Sequence, residues 1–147
     1  TLDLSVLCGR ATLVEIMTDE HEHIGVKHLE ALNLPADVRR LVIRTTNSRL
    51  WEEGHTTFYE DYIALASDGA QWVVDRGIGL VGIDYLSIAP FTALVETHEI
   101  LLSAKVIPVE GLDLRGVPVG EYDLYCLPLN ITGRDGAPCR TILIETA

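Results

Sequence analysis

His98 and Glu110 are the two residues whose types and spacing best suit chemistry. His98 lies in the run Thr97-His98-Glu99-Ile100-Leu101-Leu102, which reads as a helix. Glu110 closes Val106-Ile107-Pro108-Val109-Glu110, which reads as a short strand ending in a carboxylate. A neutral imidazole and a carboxylate on adjoining elements make half of a site for a borderline-to-hard cation such as Zn or Mn. The apolar neighbours Leu94, Val95, Leu101 and Leu102 leave a second reading open, in which His98 is a satisfied histidine on a core-facing helix stripe. Glu110 weighs against it, because a carboxylate after an apolar strand is costly unless paired, solvated or metal-bound. Strand ends are also where α/β sites assemble.

Other candidates are weaker. Asp84 ends a strand in Gly82-Ile83-Asp84-Tyr85-Leu86-Ser87 and reads first as a turn acceptor for the Ser87 region. His21 and His23 are two apart and would share a face in a strand, but they sit in the charged run Asp19-Glu20-His21-Glu22-His23, which reads as solvated loop. His28 and His55 have no chemical neighbours in sequence. Arg134 and Arg140 offer an anion site, with a structural pairing to Asp135 as the simpler expectation. Gly133-Arg134-Asp135-Gly136-Ala137-Pro138 lacks the lysine of a phosphate loop and reads as a tight turn. The polar cluster Arg44-Thr45-Thr46-Asn47-Ser48 lines a pocket or satisfies strand-end backbone. Trp51, Phe58 and Tyr59 serve an aromatic-accepting pocket or the core. No Gly-x-Ser-x-Gly elbow is present.

The elements that position these residues alternate. Strands are expected at 10–16, 41–45, 80–84, 106–110, 122–131 and 140–144, and helices at 26–33, 61–76 and 92–103. Gly77 suits the position just past a helix end. The long polar stretch 46–57 is a candidate functional loop. Strands alternate with helices and then run consecutively, which predicts an α/β fold with a mixed sheet rather than a purely parallel one.

At 147 residues and 48% hydrophobic content, one domain spanning 1–147 with a packed core is expected. Twenty-two Asp and Glu against 11 Lys and Arg give a formal charge of −11, which repels phosphate backbones and argues against nucleic-acid partners and anionic membrane surfaces. Cys8, Cys126 and Cys139 are odd in number and form no close pairing motif; Cys8 and Cys126, in apolar surroundings, read as buried thiols, a reducing-compartment pattern rather than a disulfide framework. Charged residues interrupt every apolar run, so no membrane span is expected, and the default location is cytoplasmic. Leu2, Leu4, Val6 and Leu7 make the start of the chain apolar, as if within a packed element or at a surface expecting cover.

The ordered set Val81-Gly82-Ile83-Asp84-Tyr85-Leu86-Ser87, His98 with Leu101-Leu102, Glu110, Leu127-Pro128-Leu129, and Gly133-x-Asp135-Gly136-Ala137-Pro138-x-Arg140 resembles the putative cyclase family, which includes bacterial kynurenine formamidase and isatin hydrolase. The resemblance runs from about residue 12 to the C-terminus. It implies a mixed β-sheet or barrel with flanking helices, of the swivelling β/β/α type, usually dimeric or tetrameric. It implies a metal-dependent hydrolase of amide or lactam C–N bonds acting on a small amide or cyclic imide. The family's late metal ligands fall on His98 and Glu110, the metal being Zn or Mn, and Asp84 falls on a recurrent position of structural character. The family's His-x-Gly-Thr-His-x-Asp-x-Pro-x-His stretch, which carries the other ligands and the general acid/base histidine, has no match in these residues. Leu2-Asp3-Leu4-Ser5 resembles the segment that follows it. The expectation is the C-terminal portion of a cyclase-family domain. The alternative is a non-catalytic relative acting as a scaffold or interaction subunit, with apolar edges favouring a homo-oligomer.

Overall fold

The computed structural model describes residues 3–19, 22–52 and 57–146. Six strands form one sheet: β1 (Cys8–Glu15), β2 (Arg40–Arg44), β3 (Leu80–Ile83), β4 (Ile107–Val109), β5 (Gly120–Pro128) and β6 (Cys139–Glu145). Among the described residues, four α-helices accompany them: α1 (Val26–Ala31), α2 (Arg49–Glu52), α3 (Ser67–Asp75) and α4 (Leu94–Ser103). The sheet order is β4-β3-β2-β1-β5-β6, curled into half a barrel. The four strands β1 to β4 run parallel, and β5 and β6 return antiparallel on the far side of β1. The mixed α/β sheet expected from the order of elements is the one observed.

Alternation along the strands sorts side chains to two faces. Leu41 and Ile43 of β2, Val81 and Ile83 of β3 and Val14 of β1 pack with Leu29, Val73 and Leu101 of the helices. Val42, Leu80 and Leu13 point the other way, into a second core with Leu114, Tyr122, Leu124 and Cys126. Because both faces of β2 and β3 are covered, these strands read as unbroken apolar runs, as parallel strands do.

Some expected boundaries move. The helix expected over 61–76 occupies only Ser67–Asp75. The preceding residues are extended because their backbone is already bound: Leu65 donates to Ile88 O at 2.8 Å, Ile24 donates to Ala64 O at 2.8 Å, and Ala66 donates to Ile24 O at 2.9 Å. Tertiary pairing thus overrides the helical spacing of Tyr62 and Leu65. Gly69, within α3, sits so close to Ile24 that an added Cβ would lie 2.4 Å from its carbonyl oxygen. The strand expected to reach Ile131 ends at Pro128. The stretch 46–57 is not wholly irregular, since it contains a 3-10 turn at Thr46–Ser48 and then α2. At the start of the chain, Leu4 is exposed while Leu7 joins the core. Among the described residues, no helix is long and apolar enough to cross a membrane.

Candidate metal centre

The carboxyl ends of the parallel strands gather the polar groups. Glu110 follows β4 directly, held in place by the pairing of Val109 with Gly82. The chain then turns at Gly111, whose φ of +71° is the left-handed region that glycine adopts without strain. Gly111 donates to Tyr85 O at 2.6 Å, and Leu112 donates to Ile83 O at 3.2 Å. The Glu110 carboxylate is thereby aimed back over the end of β3, where its Oε1 accepts from the Ile88 amide at 2.8 Å.

α4 delivers His98 to the same place. The stripe expected to face the core does not: Thr97 and Leu101 make the buried face, while Val95 and Leu102 are 69% and 54% exposed. His98 therefore emerges at the margin of the buried face rather than inside the core. Its Nδ1 lies 2.7 Å from the Leu94 carbonyl oxygen, one turn back, and its Nε2 lies 3.2 Å from Glu110 Oε1. The His98 and Glu110 side chains are 29% and 33% exposed.

The chemistry of this pair follows from its partners. A carbonyl oxygen only accepts, so Nδ1 carries a proton and donates to Leu94. In the neutral imidazole, Nε2 is then a bare lone pair facing a carboxylate oxygen. Two opposed acceptors need something positive between them, either a second ring proton or a cation. Two ligands about 2.1 Å from one cation, at angles from octahedral to tetrahedral, lie about 3.0–3.4 Å apart. The observed 3.2 Å fits such an edge. Donation of the far ring nitrogen to a backbone carbonyl is also how metal-binding histidines are oriented. The pair supplies two ligands, and among the described residues no cluster of three or more His, Cys, Asp or Glu is placed to hold a metal.

Asp84 is fully buried at the end of β3. It does not serve the Ser87 backbone. Its carboxylate accepts from Thr45 N (2.8 Å), Thr45 Oγ1 (2.8 Å) and Ser48 Oγ (2.6 Å), clasping the end of β2 and the turn after it. Burial pushes its carboxyl above the ordinary carboxylate range, and the hydrogen bonds from Ser48 and Thr45 offset part of that rise. Trp51 adds an indole N–H donated to Asp84 O at 2.9 Å. The polar cluster after β2 thus satisfies backbone and the buried acid: Asn47 also exchanges two hydrogen bonds with Ile63, at 2.7 and 2.9 Å.

Of the aromatic group near the end of β3, the sequence pointed to Phe58 and Tyr59 but not to their companions Tyr62, Tyr85 and Phe91. Tyr62 stacks on Tyr85 at 4.2 Å between ring centroids, and the half-exposed Phe58 leans on both and on Phe91. Tyr85 Oη donates to Tyr59 O at 2.8 Å and accepts from Tyr59 N at 2.7 Å. Only the Phe58/Tyr62 spacing of four is local; their contacts with Tyr85 and Phe91 join segments distant in sequence, which no local signal gives. Trp51 stands apart from this group, as a clamp on Asp84.

The remaining candidates do not join the site. His28 Nδ1 accepts from Gly25 N at 3.1 Å, at the start of α1, and its Nε2 faces Glu22 at 3.5 Å. His23 has a buried Nδ1 without a partner, and burial lowers its pKa. His21 and His55 lie outside the described residues. Arg134, Asp135 and Arg140 are exposed, and among the described residues no ion pair joins them.

The molecule is thus an α/β protein whose curled mixed sheet carries a histidine–carboxylate pair at the ends of its parallel strands. The family model described as putative cyclase matches residues 1–90, and the chain belongs to that family. Cyclase-like protein 3 of Oryza sativa subsp. japonica is 43% identical over 99% of this chain and 54% of its own length. Kynurenine formamidase of Bacillus cereus is 33% identical over 97% of this chain and 65% of its own length. A solved structure described as a potential metal-dependent hydrolase with cyclase activity superposes with a TM-score of 0.82 at 32% identity, covering 97% of this chain and 68% of that one. The chain spans about half the length of the curated plant relatives it matches. His98 and Glu110 fall beyond the part matched by the family model and within the span shared with these relatives.

Proposed function

We propose that the protein is a metal-dependent hydrolase of amide or lactam C–N bonds, with chemistry like that of kynurenine formamidase. The observation that carries this reading is the opposition of His98 Nε2 and Glu110 Oε1 at 3.2 Å, with Nδ1 already committed to Leu94. Its relatives support it: one is a kynurenine formamidase and another is described as a potential metal-dependent hydrolase. His98 and Glu110 would hold the cation, zinc or manganese. A bound divalent cation supplies Lewis acidity toward the scissile carbonyl.

The chain's own residues prepare that site. Leu94 O fixes the imidazole tautomer, and the Ile88 amide holds Oε1 of Glu110 in place. The resemblance implies that a histidine of the family's His-x-Gly-Thr-His-x-Asp stretch, which has no match in these residues, would supply the proton for the leaving nitrogen. The substrate is a small amide or cyclic imide. The free thiols suit a reducing compartment, the cytoplasm, and the exposed apolar residues of β5 and β6 favour a homo-oligomer, which sedimentation would test.

The experiment is metal analysis of the purified protein, coupled to hydrolysis of N-formylkynurenine and of a cyclic imide. Stoichiometric zinc or manganese with turnover supports the hydrolase. Absence of metal uptake at any pH would rule out catalysis by this chain and leave the scaffold reading.

A further inference from the structure

Three thiols, on three neighbouring strands, play no part in the site above. Cys8 begins β1, Cys126 lies late in β5 and Cys139 begins β6. Cys126 is paired directly across from Thr141, and Cys139 is paired across from Pro128, so the two thiols are diagonal neighbours on one sheet face. Leu129 donates to Pro138 O at 3.0 Å, which makes 129:138 a hydrogen-bonded pair. By alternation, 128:139 and 126:141 are the non-hydrogen-bonded pairs, whose side chains approach most closely. The right-handed strand twist brings this diagonal together. Cys139 Sγ already lies 3.6 Å from Thr141 Oγ1, on the side chain facing Cys126.

We propose that Cys126 and Cys139 form a reversible disulfide site, oxidised by hydrogen peroxide, that staples edge strand β6 to β5. The exposed Cys139 thiolate attacks one peroxide oxygen, the O–O bond breaks, and Cys139 becomes a sulfenic acid as one water leaves. The Cys126 thiolate then attacks that sulfur, forming the S–S bond and releasing the second water. One peroxide takes two electrons from two thiols and becomes two waters. Diagonal strand neighbours sit about 7–8 Å apart at Cα, against about 4.4–6.8 Å for a disulfide, so the two strand ends must close by about 1 Å. The pair lies at the end of the β5–β6 ladder that the connection 129–138 closes.

The second step is slow at neutral pH. Burial pushes the Cys126 thiol up to about 11, with the Cys139 and Cys8 thiols adding to the rise, so little thiolate is present. Oxidation should therefore speed up with alkali.

The test treats the purified protein with hydrogen peroxide, alkylates it after denaturation and maps it by mass spectrometry. Expected are a loss of two mass units, a cross-linked Cys126–Cys139 peptide, reversal by dithiothreitol, and a rate that rises from pH 7 to 9. Cys139→Ser should abolish the cross-link and Cys8→Ser should keep it. A Cys8–Cys126 bridge, covalent dimers through Cys139, Cys139 sulfinic acid beside alkylatable Cys126, or no reaction would each overturn the proposal.

Discussion

The Leu94 carbonyl oxygen sets the tautomer of His98: at 2.7 Å it holds the Nδ1 proton, and so turns an open lone pair toward Glu110. This contact is internal to α4 and needs no other element. His98→Ala should therefore abolish uptake of zinc or manganese while shifting the thermal midpoint by only a few degrees, because the side chain is 29% exposed. Calorimetry and metal analysis on the same sample check it. A variant that loses its thermal transition, from a parent that never bound metal, would mark His98 as a packing residue.

Glu110 has two tasks that substitution separates. Glu110→Gln keeps an oxygen for the Ile88 amide but loses the charge, so metal uptake should fall with little change in stability. Glu110→Ala also strands that amide, and should cost about 1–2 kcal/mol in urea unfolding. Equal stability of the two variants would contradict the role given to Ile88.

Asp84 should behave as a structural clasp. Asp84→Ala leaves Thr45 N, Thr45 Oγ1 and Ser48 Oγ without their acceptor in a buried place, a loss of about 3 kcal/mol. Asp84→Asn retains one acceptor oxygen and should lose less. Denaturant titration of both variants decides the order.

The same acid gives a pH dependence of definite sign. Its folded carboxyl sits above the ordinary range, so the folded state holds this proton more tightly than the unfolded chain does. That contribution is fully present below about pH 3.9 and is lost as pH rises toward the folded value. The stability gap between wild type and Asp84→Asn should accordingly be wider at the acid end of this window and narrow above it. A gap that widens with pH would show the opposite shift.

Gly69→Ala tests the close approach of α3 to Ile24. Alanine favours a helix by about 1 kcal/mol, but its Cβ would lie 2.4 Å from a backbone oxygen that cannot rotate away. Overpacking of about 1–3 kcal/mol prevails, and net destabilisation is expected in thermal unfolding.

The strands were legible because burial on both faces writes them as apolar runs, and β1 to β4 fall within a residue or two of their expected places. The pairing of His98 with Glu110 was legible only in part: consecutive elements bring a helical histidine and a strand-end carboxylate within reach, but the rotation of α4 that turns His98 to Glu110 is set by packing. Exposure of Val95 and Leu102 was not legible: apolar residues all round a helix do not say which face is covered. Nor was the short α3, because Ala64 and Leu65 are committed to Ile24 and Ile88, residues distant in sequence. Asp84 was placed at a strand end correctly, but its partners came from the turn that follows β2, a neighbour that only the sheet order reveals.

The short bridge that joins Ile24, Leu65 and Ile88 through main-chain atoms alone has a consequence for how this molecule breathes. Three connecting segments are laced together there without reliance on any side chain, so natural variation in those side chains leaves the lacing intact. Amide protons of Ile24, Leu65 and Ala66 belong with the slowly exchanging set, although none of them lies in a named strand, and the three crossovers should open together rather than one at a time.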